Sequence, residues 1–540
     1  MTRADDTRRI FVIGLDGGTW SILRPLLESG RMPHLAALAQ AGCSGVLHST
    51  IPPITPAAWS SFMTGCNPGK HGIFDFQGYD RQTRSSFYVN ATSLRVPTLW
   101  HVLSQHGKRV AVVDLPVTYP PPAVNGVVIS GLMTPGREST FTHPAALLTE
   151  VELQLGYEWP LLREDDETWG RHKAVAEFLR LMRRYLDSRV QAMLYLFQKE
   201  KWDFSFLQLQ CVDFLQHPLW KYLDVAHPAF HPDLHKEVVR QFFTPLDESL
   251  GRLVAMARSV LGEEALIVIL SDHGFQRHNK RAELNHWLHA HGFLVPAEIS
   301  KTSWRSWVEL VRKLDIWKLR GQLLTKTQRH ALGRAVHAGR VDERRSRYFA
   351  VSAFWGYLYA GPQATARDFE ELERALLAWK DPENGQPVVR QVYRREQCYH
   401  GAASERMPDL VVEPMPGYTF ASKTYFREGR LLHPVTEDDF HTGTHASEGM
   451  FVVAGAGVQR SQLCQGPEAS LQDLMPTLLH WMGLPVPEYC DGRVASAWFK
   501  PDFSARISYD GTAAVASEEV RFSSEEQSAI ERRLQMLGYV

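Results

Sequence analysis

The chain has 540 residues, more than one minimal domain needs, and its 44% hydrophobic and 22% charged content is that of an ordinary globular protein. With 59 basic against 60 acidic residues the formal net charge is −1, so no global field favours nucleic acid or an anionic membrane. No segment approaches the roughly 20 apolar residues that span a bilayer, Met1-Thr2-Arg3-Ala4-Asp5-Asp6 lacks a signal-peptide pattern, and the six cysteines are far apart; the expectation is a reducing, cytoplasmic setting.

Along the chain, Phe11-Val12-Ile13-Gly14-Leu15 reads as a first strand ending in Asp16-Gly17-Gly18. Residues 110–116 and 127–131 read as further strands, and 171–199 carries apolar residues at helical spacing. Phe204 to Gln210 is a strand that leads into Asp213, and 245–261 is a helix with Pro245 in its first turn. Leu266-Ile267-Val268-Ile269-Leu270 follows, five aliphatics of the kind buried on both faces of a parallel sheet. Alternating strands and helices predict an α/β fold, a mostly parallel sheet with helices on both faces.

From 301 the character changes to tryptophans among many Lys and Arg residues, with Tyr357 and Tyr359 further on. The expected organisation is a core over 1–300, an inserted cap over 301–430, a second part of the core over 431–500, and a C-terminal tail over 501–540. Ser523 and Glu526 form a capping-box pattern that opens a final helix in that tail.

The chemistry gathers where strands end. Ser271-Asp272-His273-Gly274 directly follows the aliphatic run, the position at which open α/β sheets bind ligands. A carboxylate and an imidazole there can converge on one divalent metal. Asp213 and His217 are four apart, on one face of a helix. Asp16 ends the first strand, His445 precedes the apolar run after Gly449, and Thr55 follows Pro52-Pro53-Ile54. Taken singly, Asp16 reads first as a turn Asp, Thr55 as a loop Thr and His445 as a surface His, and Asp213 with His217 equally well as a polar pair at a helix start. A threonine hydroxyl becomes a nucleophile only when a base or metal lowers its pKa.

Taken in order, these segments resemble the alkaline phosphatase superfamily, in its branch of type I phosphodiesterases and nucleotide pyrophosphatases. The matching signatures are Gly14-Leu15-Asp16-Gly17, Met32-Pro33-His34-Leu35, Pro52 through Gly65, Pro68-Gly69-Lys70-His71-Gly72, Asp213 with His217, Ser271-Asp272-His273-Gly274, and His445 with Gly449. Asp473 to Leu479 and Gly483 to Pro487 resemble the family's closing segment. The resemblance implies two divalent metals, zinc or manganese. Asp16, Thr55, Asp272 and His273 would surround one metal, and Asp213, His217 and His445 the other. It implies that Thr55 is the catalytic nucleophile, attacking phosphorus to give a phospho-threonine that water then cleaves. The activity implied is a metal-dependent phosphohydrolase, a phosphodiesterase or nucleotide pyrophosphatase, acting on a small phosphoester such as a nucleotide. The alternatives are a phosphomonoesterase or phosphotransferase on the same site, or a non-catalytic binding protein with the same fold.

Two departures bear on substrate. Family members carry an Asn after the His-Gly-Ile stretch to bind a phosphoryl oxygen, and this chain has Phe74-Asp75-Phe76. Either a backbone amide or Lys70 is the expected substitute, or the substrate differs. The motif of a formylglycine sulfatase is missing. His441 competes with His445 as a ligand, whereas His278, His286, His289 and His291 read as structural, as does the solvated basic run Arg344-Arg345-Ser346-Arg347. Trp304, Trp307, Trp355, Tyr357 and Tyr359 are either the cap's own core or a stacking surface for a leaving group.

Overall fold

Four runs, Ile10–Leu15, Val110–Leu115, Phe204–Leu209 and Leu266–Leu270, are buried at every position in the computed structural model. The structure describes residues 8–157, 175–297, 339–351, 354–421, 425–426, 429–504, 507–511, 519–537 and 539. Strands without an alternating polar face need cover on both sides, and these run in parallel through one nine-stranded sheet. Its order is Ala469–Ser470, Cys43–His48, Glu448–Ala454, Leu266–Leu270, Ile10–Leu15, Phe204–Leu209, Val110–Leu115, Gly126–Ser130 and Thr142–His143. Glu448–Ala454 is antiparallel to both its neighbours, and Thr142–His143 is antiparallel to Gly126–Ser130. The fold is therefore the α/β class expected, a mostly parallel sheet packed with helices.

Helices supply the cover. Thr55–Thr64 is buried along its whole length, with Pro56 in its first turn and Gly65 in the left-handed conformation (φ 67°) that ends it. Cys211–Leu223 is likewise buried throughout. Val175–Lys199 and Thr244–Leu261 are amphipathic instead, burying one stripe each. Among the described residues no helix is long and apolar enough to cross a membrane.

The chain divides into two units. The first comprises Met1–His278, Glu396–Met407 and Val435–Val540 and contains the nine-stranded sheet. The second comprises Asn279–Arg395 and Pro408–Pro434. Its strands form an antiparallel sheet in the order Tyr348–Ala350, Gly356–Ala360, Leu410–Pro414, Val389–Arg394, and a smaller one of Tyr418–Phe420, Lys280–Ala282 and Leu432–Pro434. These bounds differ from an insert over 301–430 at the start, in the middle and, by four residues, at the end. Lys280–Ala282 already pairs within the second unit. Glu396–Met407 returns to the first, where Asn67 Nδ2 donates to the His400 carbonyl (3.0 Å) and the Ala403 amide to that of Gly69 (2.8 Å).

Trp355, Tyr357 and Tyr359 are buried, whereas Trp304, Trp307 and Trp317 lie outside the described residues. Arg347, expected on a solvated face, pairs with Asp368 at 2.5 Å.

Candidate metal centre

Each candidate ligand sits on, or just beyond, a short stretch of regular structure. Asp16 follows Ile10–Leu15, and the turn beyond it needs Gly17 at φ 65°. Asp272 and His273 follow the adjacent Leu266–Leu270, so the two strand ends emerge side by side. Asp213 lies in the first turn of the helix after Phe204–Leu209, with His217 one turn on. His445 lies in Gly443–Ala446, which pairs antiparallel with Gly274–Arg277 and sets Phe275 opposite His445. That pairing stacks the rings of His273 and His445 with centroids 3.7 Å apart.

Two buried clusters result, Asp16–Asp272–His273 and Asp213–His217–His445, the ligand atoms of each lying within 4.8 Å of one another. Among the described residues the carboxylates share a pattern. Asp16 Oδ2 accepts from Trp59 Nε1 (2.9 Å) and Gln208 Nε2 (2.7 Å), leaving Oδ1 buried without a partner. Asp272 Oδ1 accepts from the Gly17 amide (3.1 Å), leaving Oδ2 buried without one. Asp213 Oδ2 accepts from the Tyr539 hydroxyl, and its Oδ1 is the third such atom. A buried anionic oxygen left without a donor costs several kcal/mol unless a cation meets it.

The imidazoles are turned to match. His273 Nδ1 faces the Gly274 carbonyl (3.1 Å) and His445 Nδ1 that of Pro53 (3.0 Å). His217 Nδ1 faces the Gly443 carbonyl at 3.3 Å. A carbonyl on Nδ1 selects the tautomer whose Nε2 lone pair is open to a metal. His273 Nε2 lies 3.4 Å from Asp272 Oδ2 and 3.6 Å from Asp16 Oδ1. His445 Nε2 lies 3.2 Å from Asp213 Oδ1 and 3.3 Å from His217 Nε2. Three orphan carboxylate oxygens and three inward Nε2 atoms are the mixed O/N donor set that a zinc- or manganese-type cation takes. The residues fit the cations that the resemblance implies.

The electrostatics agree. Burial, then the nearby Asp272 and Asp213 carboxylates, push Asp16 well above the usual carboxylate range. Burial, with Asp213 adding to it, raises Asp272. Burial would raise Asp213 too, but His217 and His445 outweigh it and hold that carboxyl well below the range. Burial also drives His273 and His445 toward the neutral form. In the Asp16–Asp272–His273 cluster, carboxylates raised by burial beside an imidazole driven neutral make a site short of positive charge.

Thr55 is fully buried at the start of its helix, with Oγ1 3.3 Å from His273 Nε2. All seven residues singled out as ligands or nucleophile therefore come together. His441 does not join a cluster; its Nδ1 lies 3.0 Å from His217 Nδ1, behind the ring. Lys70 is not a substitute for the missing Asn, since its Nζ binds Asp491 Oδ1 (2.5 Å) and the Tyr489 carbonyl (2.9 Å). His278, His289 and His291 turn Nδ1 to backbone carbonyls and stay apart.

The sequence reading missed the groups that orient the ligands: Trp59, Gln208 and Tyr539. One signal was present for the first two. A Cβ at Gly14 would sit 2.1 Å from Gln208 Oε1 and 2.7 Å from the Trp59 ring, so the glycine is what lets both reach Asp16.

The family model for type I phosphodiesterase / nucleotide pyrophosphatase matches residues 10–448. Phosphonoacetate hydrolase from Sinorhizobium meliloti 1021, in complex with phosphonoformate, is similar in structure. It is 19% identical with a TM-score of 0.53, and the match covers 88% of this chain and 95% of that one. Murine ectonucleotide pyrophosphatase / phosphodiesterase 5 matches over the same shares at 15% identity and a TM-score of 0.50. An inactive form of it in complex with AMP matches over those shares too, at 14% and 0.50. No curated protein matches in sequence. At such identities the structural likeness speaks for the fold alone, whereas the family match covers most of the chain. The chain belongs to the type I phosphodiesterase / nucleotide pyrophosphatase family, hydrolases that act on phosphoric ester bonds.

Proposed function

We propose that the protein is a two-metal phosphodiesterase or nucleotide pyrophosphatase with Thr55 as its nucleophile. The observation that carries this reading is the set of three buried, donorless carboxylate oxygens facing three Nε2 atoms beside the Thr55 hydroxyl. Asp16, Asp272 and His273 would hold one cation within reach of Thr55, and Asp213, His217 and His445 the other. Divalent cations bound there would supply Lewis-acid charge, lowering the Thr55 pKa and neutralising phosphoryl oxygens.

The chain's own residues do the rest. Thr55 Oγ1 forms a bond to phosphorus as the bond to the leaving oxygen breaks, and water later cleaves the phospho-threonine in the second half-reaction. The burial of Thr55–Thr64 fixes the nucleophile's position, and the positive end of that helix dipole faces the incoming anion. Trp59 and Gln208 keep Asp16 from rotating.

For substrate we favour a small diester or pyrophosphate of nucleotide type, in keeping with the family and with the AMP held by the murine neighbour. Purified protein with added zinc or manganese should hydrolyse bis-p-nitrophenyl phosphate faster than p-nitrophenyl phosphate and stop when chelated. Faster cleavage of the monoester would move the reading to a phosphomonoesterase. Full activity after chelation would end the two-metal reading.

A further inference from the structure

Three carboxylates each show one oxygen to their cluster and tie the other down. For Asp16 and Asp272 the ties come from Trp59 on the buried Thr55–Thr64 helix, Gln208 in the sheet and Gly17 in the turn after the first strand. For Asp213 it comes from the far end of the chain, 326 residues away, where the Tyr539 hydroxyl donates to Oδ2.

The last helix brings Tyr539 there. Ser524–Leu537 buries Ile530, Leu534 and Leu537, and the Tyr539 amide caps it by donating to the Leu534 carbonyl at 2.8 Å. Arg533, itself buried, donates to the Thr134 carbonyl and to that of Pro135 (2.8 Å). Upstream, Glu519 pairs with Arg95 at 2.6 Å and the Val520 carbonyl accepts from Asn90 Nδ2 at 2.7 Å. The tyrosine ring then fills the wall of the second cluster. Its centroid lies 5.7 Å from that of His217 and 6.3 Å from that of His445, both edge-on, and 4.8 Å from Phe76. Phe76 belongs to the stretch that replaces the family's usual Asn, so the tail docks where this chain departs from the family pattern.

We propose that Tyr539 is a positioning residue for the Asp213–His217–His445 cation site, so that tail docking and ion binding stabilise each other. The inference rests on the two-metal reading. A tied Oδ2 leaves the carboxylate one orientation, with Oδ1 toward the two imidazoles. Loss of the hydroxyl frees the carboxylate to rotate, and groups that orient ligands in this way are worth roughly 10–100-fold in metal affinity. By reciprocity, an ion in this site must favour the docked tail by the same factor.

The test compares wild type with Tyr539→Phe, titrated with zinc against a competing chelator. The expected result is two ions in the wild type, and in the variant an unchanged first affinity with a second weakened about 10–100-fold. A tyrosine that only filled space would lower thermal stability and leave the second affinity unchanged. A second measurement needs no variant: trimming of the wild-type C-terminus by a serine carboxypeptidase should slow at least severalfold when zinc is added. Equal zinc affinities in both proteins, or trimming indifferent to zinc, would overturn the inference. A wild type that binds fewer than two ions would overturn the two-metal reading, and this inference with it.

Discussion

The two clusters are made of the same chemistry but of different parts of the chain. Asp16 and Asp272–His273 leave adjacent, hydrogen-bonded strands, with Gly14 opposite Leu270 in the ladder, and are tied by the sheet, its first turn and the buried helix of Thr55. Asp213 and His217 ride a helix, His445 arrives only after the second unit has been traversed, and Tyr539 is next to last in the chain. The first cluster is therefore as rigid as the sheet and the wholly buried helix of Thr55 and Trp59. The second is assembled from three distant segments, and its geometry depends on all three being docked. A nucleophile needs fixed placement, and Thr55 stands beside the rigid cluster, on a wholly buried helix.

The largest effect expected from this contrast is that of Thr55→Ala. Loss of a covalent nucleophile should cost on the order of 10⁴-fold or more in kcat, while both ions are still bound. Residual turnover near the wild-type rate would mean that the rigid cluster serves some other step. Ligand substitutions come next. His217→Ala should release one ion and spare the other, with a loss of activity beyond the roughly 100-fold that merely orienting groups command. Asp272→Ala should release the ion beside Thr55. Elemental analysis of each variant tells the cases apart, and loss of both ions from either one would show that the clusters are not independent.

A smaller effect belongs to the ties on the first cluster. Trp59→Phe keeps the aromatic packing against Phe62 and Phe206 but removes the indole N–H from Asp16 Oδ2. Gln208 still holds that oxygen, so the loss should be nearer 10-fold in affinity for the first ion. In Tyr539→Phe the second ion should suffer instead. A mirrored pair of results would establish that each cluster has its own support, and a Trp59 variant that weakened the second ion would contradict the division.

This division also explains what was legible in the sequence. Asp16, Asp213 and Asp272 each come directly after, or a few residues beyond, an apolar run, and strand direction alone fixes where such residues emerge. His445 was legible from the apolar run that follows it and from the order of the motifs. The groups behind the ligands were not. Three are backbone carbonyls, which every residue carries. Gln208 is the last polar residue of a buried strand, and Tyr539 is one of 17 tyrosines with no motif around it. Its meeting with Asp213 is decided by the path of the tail, a tertiary fact that local spacing does not encode. The start of the second unit was displaced for a similar reason. A change of composition marks 301, but the strand at Lys280–Ala282 already finds partners more than 130 residues downstream.

The smallest effect concerns how the Thr55 helix is braced. His71 is buried, its Nδ1 accepting from the Ile73 amide (3.2 Å) and its Nε2 facing Ser61 Oγ on that helix (3.0 Å). With Nδ1 used as an acceptor the ring must be neutral. Burial pushes its pKa down to about 3, and Asp491 only partly opposes this. The unfolded chain, with a histidine pKa near ~6.5, therefore binds a proton that the folded one refuses. The stability so contributed is complete above pH ~6.5 and is lost as pH falls toward 3, by at most about 1.4 kcal/mol per unit. Between pH 7.5 and pH 5 the wild type should lose on the order of 2 kcal/mol from this source. His71→Gln can keep a donor toward Ser61 and an acceptor toward Ile73 but does not titrate. Stabilities from urea unfolding of the two proteins, both stripped of metal so that ion release cancels, should agree at pH 7.5 and differ by that amount at pH 5, with the wild type the weaker. If the gap were instead the same at both pH values, His71 would brace the helix by shape alone, and the rigidity of the first cluster would not depend on a neutral ring.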